Sequence, residues 1–104
     1  EWGWTRCQVR GKLFAAVCAP GLEHKTYGGR ELVNLKCGPD RAEALRLGNP
    51  EILPGFYMDK RSWIACLLDG RLPDELLREL AGESYRLIVA KLPKYVQREL
   101  AETT

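Results

Sequence analysis

The sequence predicts an α+β domain: an antiparallel sheet of about five strands with helices packed on one face. Three observations carry this. Before Gly70, short stretches of alternating or continuous apolar character are punctuated by Gly, Pro and Asp. After Gly70 the apolar spacing becomes helical, as in Leu76, Leu77 and Leu80. The chain has 104 residues, 45% hydrophobic and 29% charged in mixed sign, which suits one domain with one core and argues against disorder.

From Thr5 to Arg10 polar and apolar residues alternate, Cys7 and Val9 on one side and Arg6, Gln8 and Arg10 on the other, so this is read as a half-buried strand. Gly11-Lys12 gives a turn, and Leu13 to Ala19 is a second strand ended by Pro20-Gly21. Residues 20–30 hold His24, Lys25, Tyr27 and Arg30 among glycines, a polar hairpin tip that forms a first wing before a third strand from Glu31 to Cys37. Pro39-Asp40 opens a helix whose apolar side is Ala42, Ala44, Leu45 and Leu47, stopped by Gly48-Asn49-Pro50. Phe56–Met58 and Trp63–Leu68 are expected to pair around the turn Asp59-Lys60-Arg61-Ser62, a second wing with a basic tip.

Pro73-Asp74-Glu75 starts a second helix, its acidic first turn matched to the helix dipole, and Gly82 is expected to break or cap it. Ser84 to Leu92 forms a further helix through Leu87, Ile88 and Leu92, Pro93 interrupts, and Lys94 to Ala101 makes the last. A helix-turn-helix about Gly82 fits this outline poorly, since its second helix offers only Arg86 and Lys91 as basic residues.

No apolar run approaches the roughly 20 residues of a membrane helix, and the N-terminus lacks the basic-then-apolar layout of a secretory signal; the expected location is the cytoplasm. The four cysteines, Cys7, Cys18, Cys37 and Cys66, stand singly, so they read as buried thiols rather than zinc ligands or disulfide partners. Catalysis could be sought only in Cys18 or Cys37 with His24, or in Ser84 with Tyr85. Neither lies in a catalytic phrase, and Tyr27-Gly28-Gly29-Arg30 lacks the spacing of a phosphate loop, so no enzyme, cofactor or metal is expected. Asp74, Glu75, Glu79 and Glu83 cluster, but first-turn carboxylates commonly serve the dipole alone. Net charge is +2, too small by itself to mark a nucleic-acid binder, but it is distributed as +3 over residues 1–71 and −1 over 72–104, so the positive charge sits on the half read as sheet.

Several phrases in order carry a family resemblance. They are Val9-x-Gly11-Lys12-x-Phe14-Ala15, Asn34-Leu35-Lys36-Cys37-x-Pro39, Pro54-Gly55-x-Tyr57-Met58-x-Lys60-x-x-Trp63, Leu68-Asp69-Gly70 with Pro73-Asp74, Ser84-Tyr85 and Lys91-Leu92-Pro93. The chain resembles the MmcQ/YjbR-like proteins, bacterial domains described as having a double-wing DNA-binding motif on a frataxin-like, CyaY-like fold. The resemblance spans nearly the whole chain and implies a single domain over 1–104. Family members carry a helix before the first strand, whereas this chain opens at Glu1-Trp2-Gly3-Trp4; either that helix is absent, exposing apolar surface that favours self-association, or residues precede Glu1.

The resemblance implies weak, non-catalytic binding of double-stranded DNA. On this reading Lys60, Arg61, Tyr57 and Trp63 act from the second wing and Lys25 and Arg30 from the first, with Arg6, Arg10 and Lys36 extending the positive surface. Each residue also has a plainer role: Lys60 and Arg61 as solvated turn charges, Trp63 as core, Lys36 as an edge lysine that discourages sheet pairing. The DNA reading requires the two tips to meet on one side of the sheet. Its rival is a protein-interaction module, a homodimer or a partner complex, docking through exposed sheet surface.

Overall fold

The computed structural model describes residues 5–20, 29–56, 58–68 and 71–102. Its elements are β1 (Thr5–Val9), β2 (Lys12–Cys18), β3 (Leu32–Lys36), α1 (Pro39–Gly48), β4 (Ile52–Pro54), β5 (Trp63–Leu67), α2 (Asp74–Val89) and α3 (Lys94–Glu102). The strands form one antiparallel sheet in the order β1-β2-β3-β5-β4, the expected α+β architecture. Helix α2 lies on β1, β2 and β3, and α1 on β4 and β5.

Alternation along the strands divides the side chains between two faces. Leu35, Ile64, Cys66 and Ile52 meet Ala42, Leu45, Leu72 and Leu80 on the helical side. Val9, Ile88, Leu92 and Val96 seat α3 beside them. The register runs Cys7 to Ala15 and then Gln8 to Leu13, leaving Phe14 without a partner on β1. This bulge lets Phe14 and Ala15, neighbours in sequence, both pack toward the helices. Phe14 meets Tyr85 of α2 edge-on, with ring centroids 5.4 Å apart.

The first turn sits one residue earlier than expected. Arg10 and Gly11 both have positive φ, 49° and 79°, the pattern of a two-residue hairpin turn whose twist suits the flanking strands. Gly82 neither breaks nor caps a helix: α2 runs unbroken from Asp74 to Val89, burying Leu80, Ser84 and Ile88 on one stripe. A helical glycine costs only about 1 kcal/mol against alanine, less than the packing of that stripe supplies. With one helix in place of two, no helix-turn-helix exists at this point.

Phe56 and Met58, the described residues of the expected strand Phe56–Met58, are not in a strand. The ladder partner of β5 is Ile52–Pro54, ending at the pair Pro54 and Ile64. Beyond it Gly55 donates to the Trp63 carbonyl at 3.1 Å and packs so closely on that residue that an added Cβ would lie 2.7 Å from the Trp63 Cβ. Only glycine allows this approach. The chain then crosses β5 to Asn34 in the middle of β3. The fully buried Asn34 amide donates to the Phe56 carbonyl at 3.0 Å and accepts from the Phe56 N–H at 2.9 Å. Phe56 thereby closes the helix-free face over Cys18, Leu32, Ala65 and Leu67. Ala16, Leu32, Asn34, Ala65 and Leu67 are at most 1% exposed, so these positions offer no open sheet surface.

The strand directions also place the two hairpin connections. β2 and β5 leave the sheet at the end marked by Cys18, Leu32 and Leu67, whereas β4 and β5 are joined at the end marked by Lys36 and Trp63. The strand ends that flank the β2–β3 connection and those that flank the β4–β5 connection therefore lie at opposite ends of the sheet; residues 21–28 between the former lie outside the described residues. An odd number of sheet crossings (β3, α1 and β4) separates them, and each crossing reverses the end.

Candidate polyanion-binding end of the sheet

The end holding Lys36 and Trp63 is built around Asp59. Its carboxylate accepts from the Arg61 N–H at 3.0 Å and from the Ser62 hydroxyl at 3.2 Å, and its carbonyl accepts from the Ser62 N–H at 3.3 Å. This is the local turn chemistry for which Asp is favoured. The Arg61 backbone hydrogen bond, helped by the Ser62 hydroxyl and the charges of Lys36 and Arg61, holds the Asp59 carboxyl below its ordinary range. The turn is thus fixed with its basic residues outward.

Lys36 and Trp63 are directly paired across β3 and β5. The Lys36 ammonium lies 5.6 Å from the Trp63 ring centroid, within cation–π range, and donates to the Ser62 hydroxyl at 3.3 Å. Lys60 donates to the Gly55 carbonyl at 3.2 Å, and Arg46 of α1 reaches the Lys60 carbonyl at 3.4 Å. These acceptors are neutral, so Lys36, Lys60 and Arg46 are positioned by hydrogen bonds rather than by ion pairs, while the Asp59 carboxylate offsets part of the charge of Lys36 and Arg61. A cleft of about 190 Å³ between α1 and the turn brings Asp40 and Glu43 near Arg46 and Arg61, which moderates the local field.

Four of the residues nominated from sequence therefore converge: Lys36, Lys60, Arg61 and Trp63. Trp63 is 9% exposed, so its ring serves the core and carries Lys36 at its face. Arg10 lies at the same end of the sheet but pairs with Glu99 of α3 at 3.2 Å. Arg6 is exposed on β1 opposite Ala16, away from the turn. Arg30 lies beside the start of β3, at the other end. Lys25 and Tyr57, with His24 and Tyr27, fall outside the described residues.

Arg46 and Asn34 were not nominated as site residues. Arg46 reads simply as a basic residue in the last turn of a helix. The signal for Asn34 was an amide between Val33 and Leu35 in an apolar strand, where a buried polar group needs partners.

The remaining chemistry is inward-facing. Burial raises the Cys18 and Cys37 thiols above their ordinary value and pushes Cys66 up to about 12. All four cysteines are unbridged. The Ser84 hydroxyl donates to the Lys36 carbonyl, tying α2 to the end of β3. Glu79 and Glu83 both face Arg41, and no cluster of three metal-ligating side chains exists among the described residues. No described helix is long and apolar enough to cross a membrane.

The sequence matches the YjbR family model over residues 1–87. The chain belongs to the YjbR family. Its similarity to YjbR of Escherichia coli K12, whose name describes it as uncharacterized, is 32% identity over 102 residues, covering 98% of this chain and 80% of that protein. YyaQ of Bacillus subtilis, likewise named uncharacterized, is 38% identical over 61 residues, 59% of this chain and 51% of its own length. Among solved structures, the Deinococcus radiodurans protein DR2400, a DUF419 domain, superposes with a TM-score of 0.72 at 31% identity, covering 92% of this chain and 67% of that one. A Pseudomonas syringae protein gives 0.68 at 28%, covering 79% and 72%. The YjbR-family relatives are bacterial, and their folds agree with the α+β architecture described above.

Proposed function

We propose that this YjbR-family chain binds the backbone of double-stranded DNA, weakly and without catalysis, through one end of its sheet. The observation that carries this is the convergence of Lys36 from β3, Arg46 from α1 and Lys60 and Arg61 from one turn, the first three with side-chain hydrogen bonds to neutral acceptors and the turn fixed by Asp59. Cations held in this way can neutralise phosphates without first breaking ion pairs. Lys12, exposed at the start of β2, widens the same end.

The grip is one-ended. A single patch makes few phosphate contacts, and sequence reading by side chains in a groove is not part of the proposal. A role without catalysis is supported by the burial of three thiols and by the commitment of the Ser84 hydroxyl to the Lys36 carbonyl.

A titration of fluorescent duplex at two salt concentrations tests the proposal. Binding should weaken as salt rises, and the double variant Lys60→Ala/Arg61→Ala should bind roughly tenfold less tightly, with a salt slope shallower by about 2. Absence of binding at low salt, or a double variant that binds like the parent, refutes it.

A further inference from the structure

A second feature lies on the helical side, away from the Asp59 turn. Between the start of α1 and the C-terminal half of α2 runs a groove of about 400 Å³ lined by Gly38, Arg41, Glu83, Arg86, Leu87 and Ala90. Its walls are largely carbon, contributed by Leu87, Ala90 and the stems of the arginines. Leu87 is among the exposed large hydrophobic residues.

The two guanidiniums in this groove differ. Arg41 is neutralised by Glu83 at 3.1 Å, with Glu79 at 3.6 Å one helical turn further along. No carboxylate among the described residues pairs with Arg86. Its guanidinium lies back along α2 over Gly82, where an added Cβ would come within 3.3 Å of Nη1. A residue that weakens helices thus occupies the helix interior, and the room it leaves is taken by an uncompensated cation at the edge of an apolar groove.

We infer that this groove binds a small aromatic carboxylate, with the carboxylate on the Arg86 guanidinium and the ring on Leu87 and Ala90. Charge complementarity selects an anion at Arg86, since Glu83 and Glu79 are both engaged by Arg41 and Arg86 is in no ion pair among the described residues. The carbon walls select an apolar body. The volume falls within the range of roughly 300–1,000 Å³ typical of small-molecule sites. A planar guanidinium matches a carboxylate in two parallel hydrogen bonds and also stacks on aromatic faces.

The test is a titration of the ¹⁵N-labelled chain with 1-naphthoate, followed by amide chemical shifts. Saturable shifts are expected at Gly38, Gly82, Leu87 and Ala90. Arg86→Gln, which keeps length and loses charge, should weaken binding roughly tenfold. Ala90→Trp, which fills the groove and leaves Arg86 intact, should abolish it. The neutral analogue 1-naphthalenemethanol should bind much more weakly than the acid. Shifts centred elsewhere, equal affinity in Arg86→Gln, equal affinity for the neutral analogue, or the absence of saturable shifts each overturns the inference. Amide spectra of the two variants that otherwise overlay on the parent exclude misfolding as the cause of a loss.

Discussion

On one face of the sheet, α1, α2 and α3 press a continuous set of aliphatic side chains onto the strands; on the other, a loop residue, Phe56, sits over Cys18, Leu32, Ala65 and Leu67. Many interchangeable contacts hold the first cover. The second depends on one amide, Asn34, and on one glycine that lets the chain cross Trp63. The difference teaches that apolar area and polar directionality close a sheet in different ways. The first fails gradually, whereas the second opens as a unit once its clamp is removed.

Leu35→Ala should have the largest effect. It removes a buried side chain from the helical face and should cost about 2–5 kcal/mol in denaturant unfolding. Amides on both faces should then exchange faster together, because the loss is global.

Asn34→Ala should come next, at about 2–3 kcal/mol, since it strands the Phe56 N–H and carbonyl in an apolar setting. Its signature is local: the Phe56 amide should exchange early while those of Leu35 and Ile64 stay protected. Simultaneous exchange of all three amides would dissolve the contrast between the faces.

Gly55→Ala should cost about 1–3 kcal/mol, because a Cβ at 2.7 Å from that of Trp63 forces the backbone to move. If its stability matches the parent within about 0.5 kcal/mol, the close approach is not what directs the crossing.

The smallest effect concerns pH on the helical side. Burial, and secondarily the neighbouring Cys37, raises the Cys66 thiol from 9.0 to about 12 in the folded chain. A folded-state value above the unfolded one leaves this contribution intact below pH 9 and removes it as pH climbs toward 12. Unfolding midpoints at pH 8 and 10.5 should therefore diverge less in Cys66→Ala than in the parent; equal divergence would mean that the thiol carries none of the slope.

Much of the fold was legible in the letters. Alternation around Cys7 and Val9, the Pro39 helix start and the apolar run from Trp63 to Leu67 each state a local preference that the whole structure shares. Failures occurred where a distant group decides. Gly82 looked like a stop because its propensity is local, while Leu80, Ser84 and Ile88 are held by the sheet. Phe56 looked like a strand residue because periodicity cannot see the Asn34 amide 22 positions away.

The candidate site was legible in part. Lys60 and Arg61 are turn residues by local chemistry, and they converge with Lys36 and Trp63. The tip before β3, with His24 and Lys25, lies outside the described residues, and only the strand ends that flank it can be compared with the second turn. Helix α1 returns the chain across the sheet before β4, so the second turn emerges at the end opposite the strand ends Cys18 and Leu32.

The brevity of β4 bears on association between copies. Three residues long and ending in Pro54, which has no N–H to offer, it gives an incoming chain a short template with a missing donor. Growth of the sheet by stacking another molecule onto that margin is thereby discouraged, a protection written into the backbone rather than into surface charge.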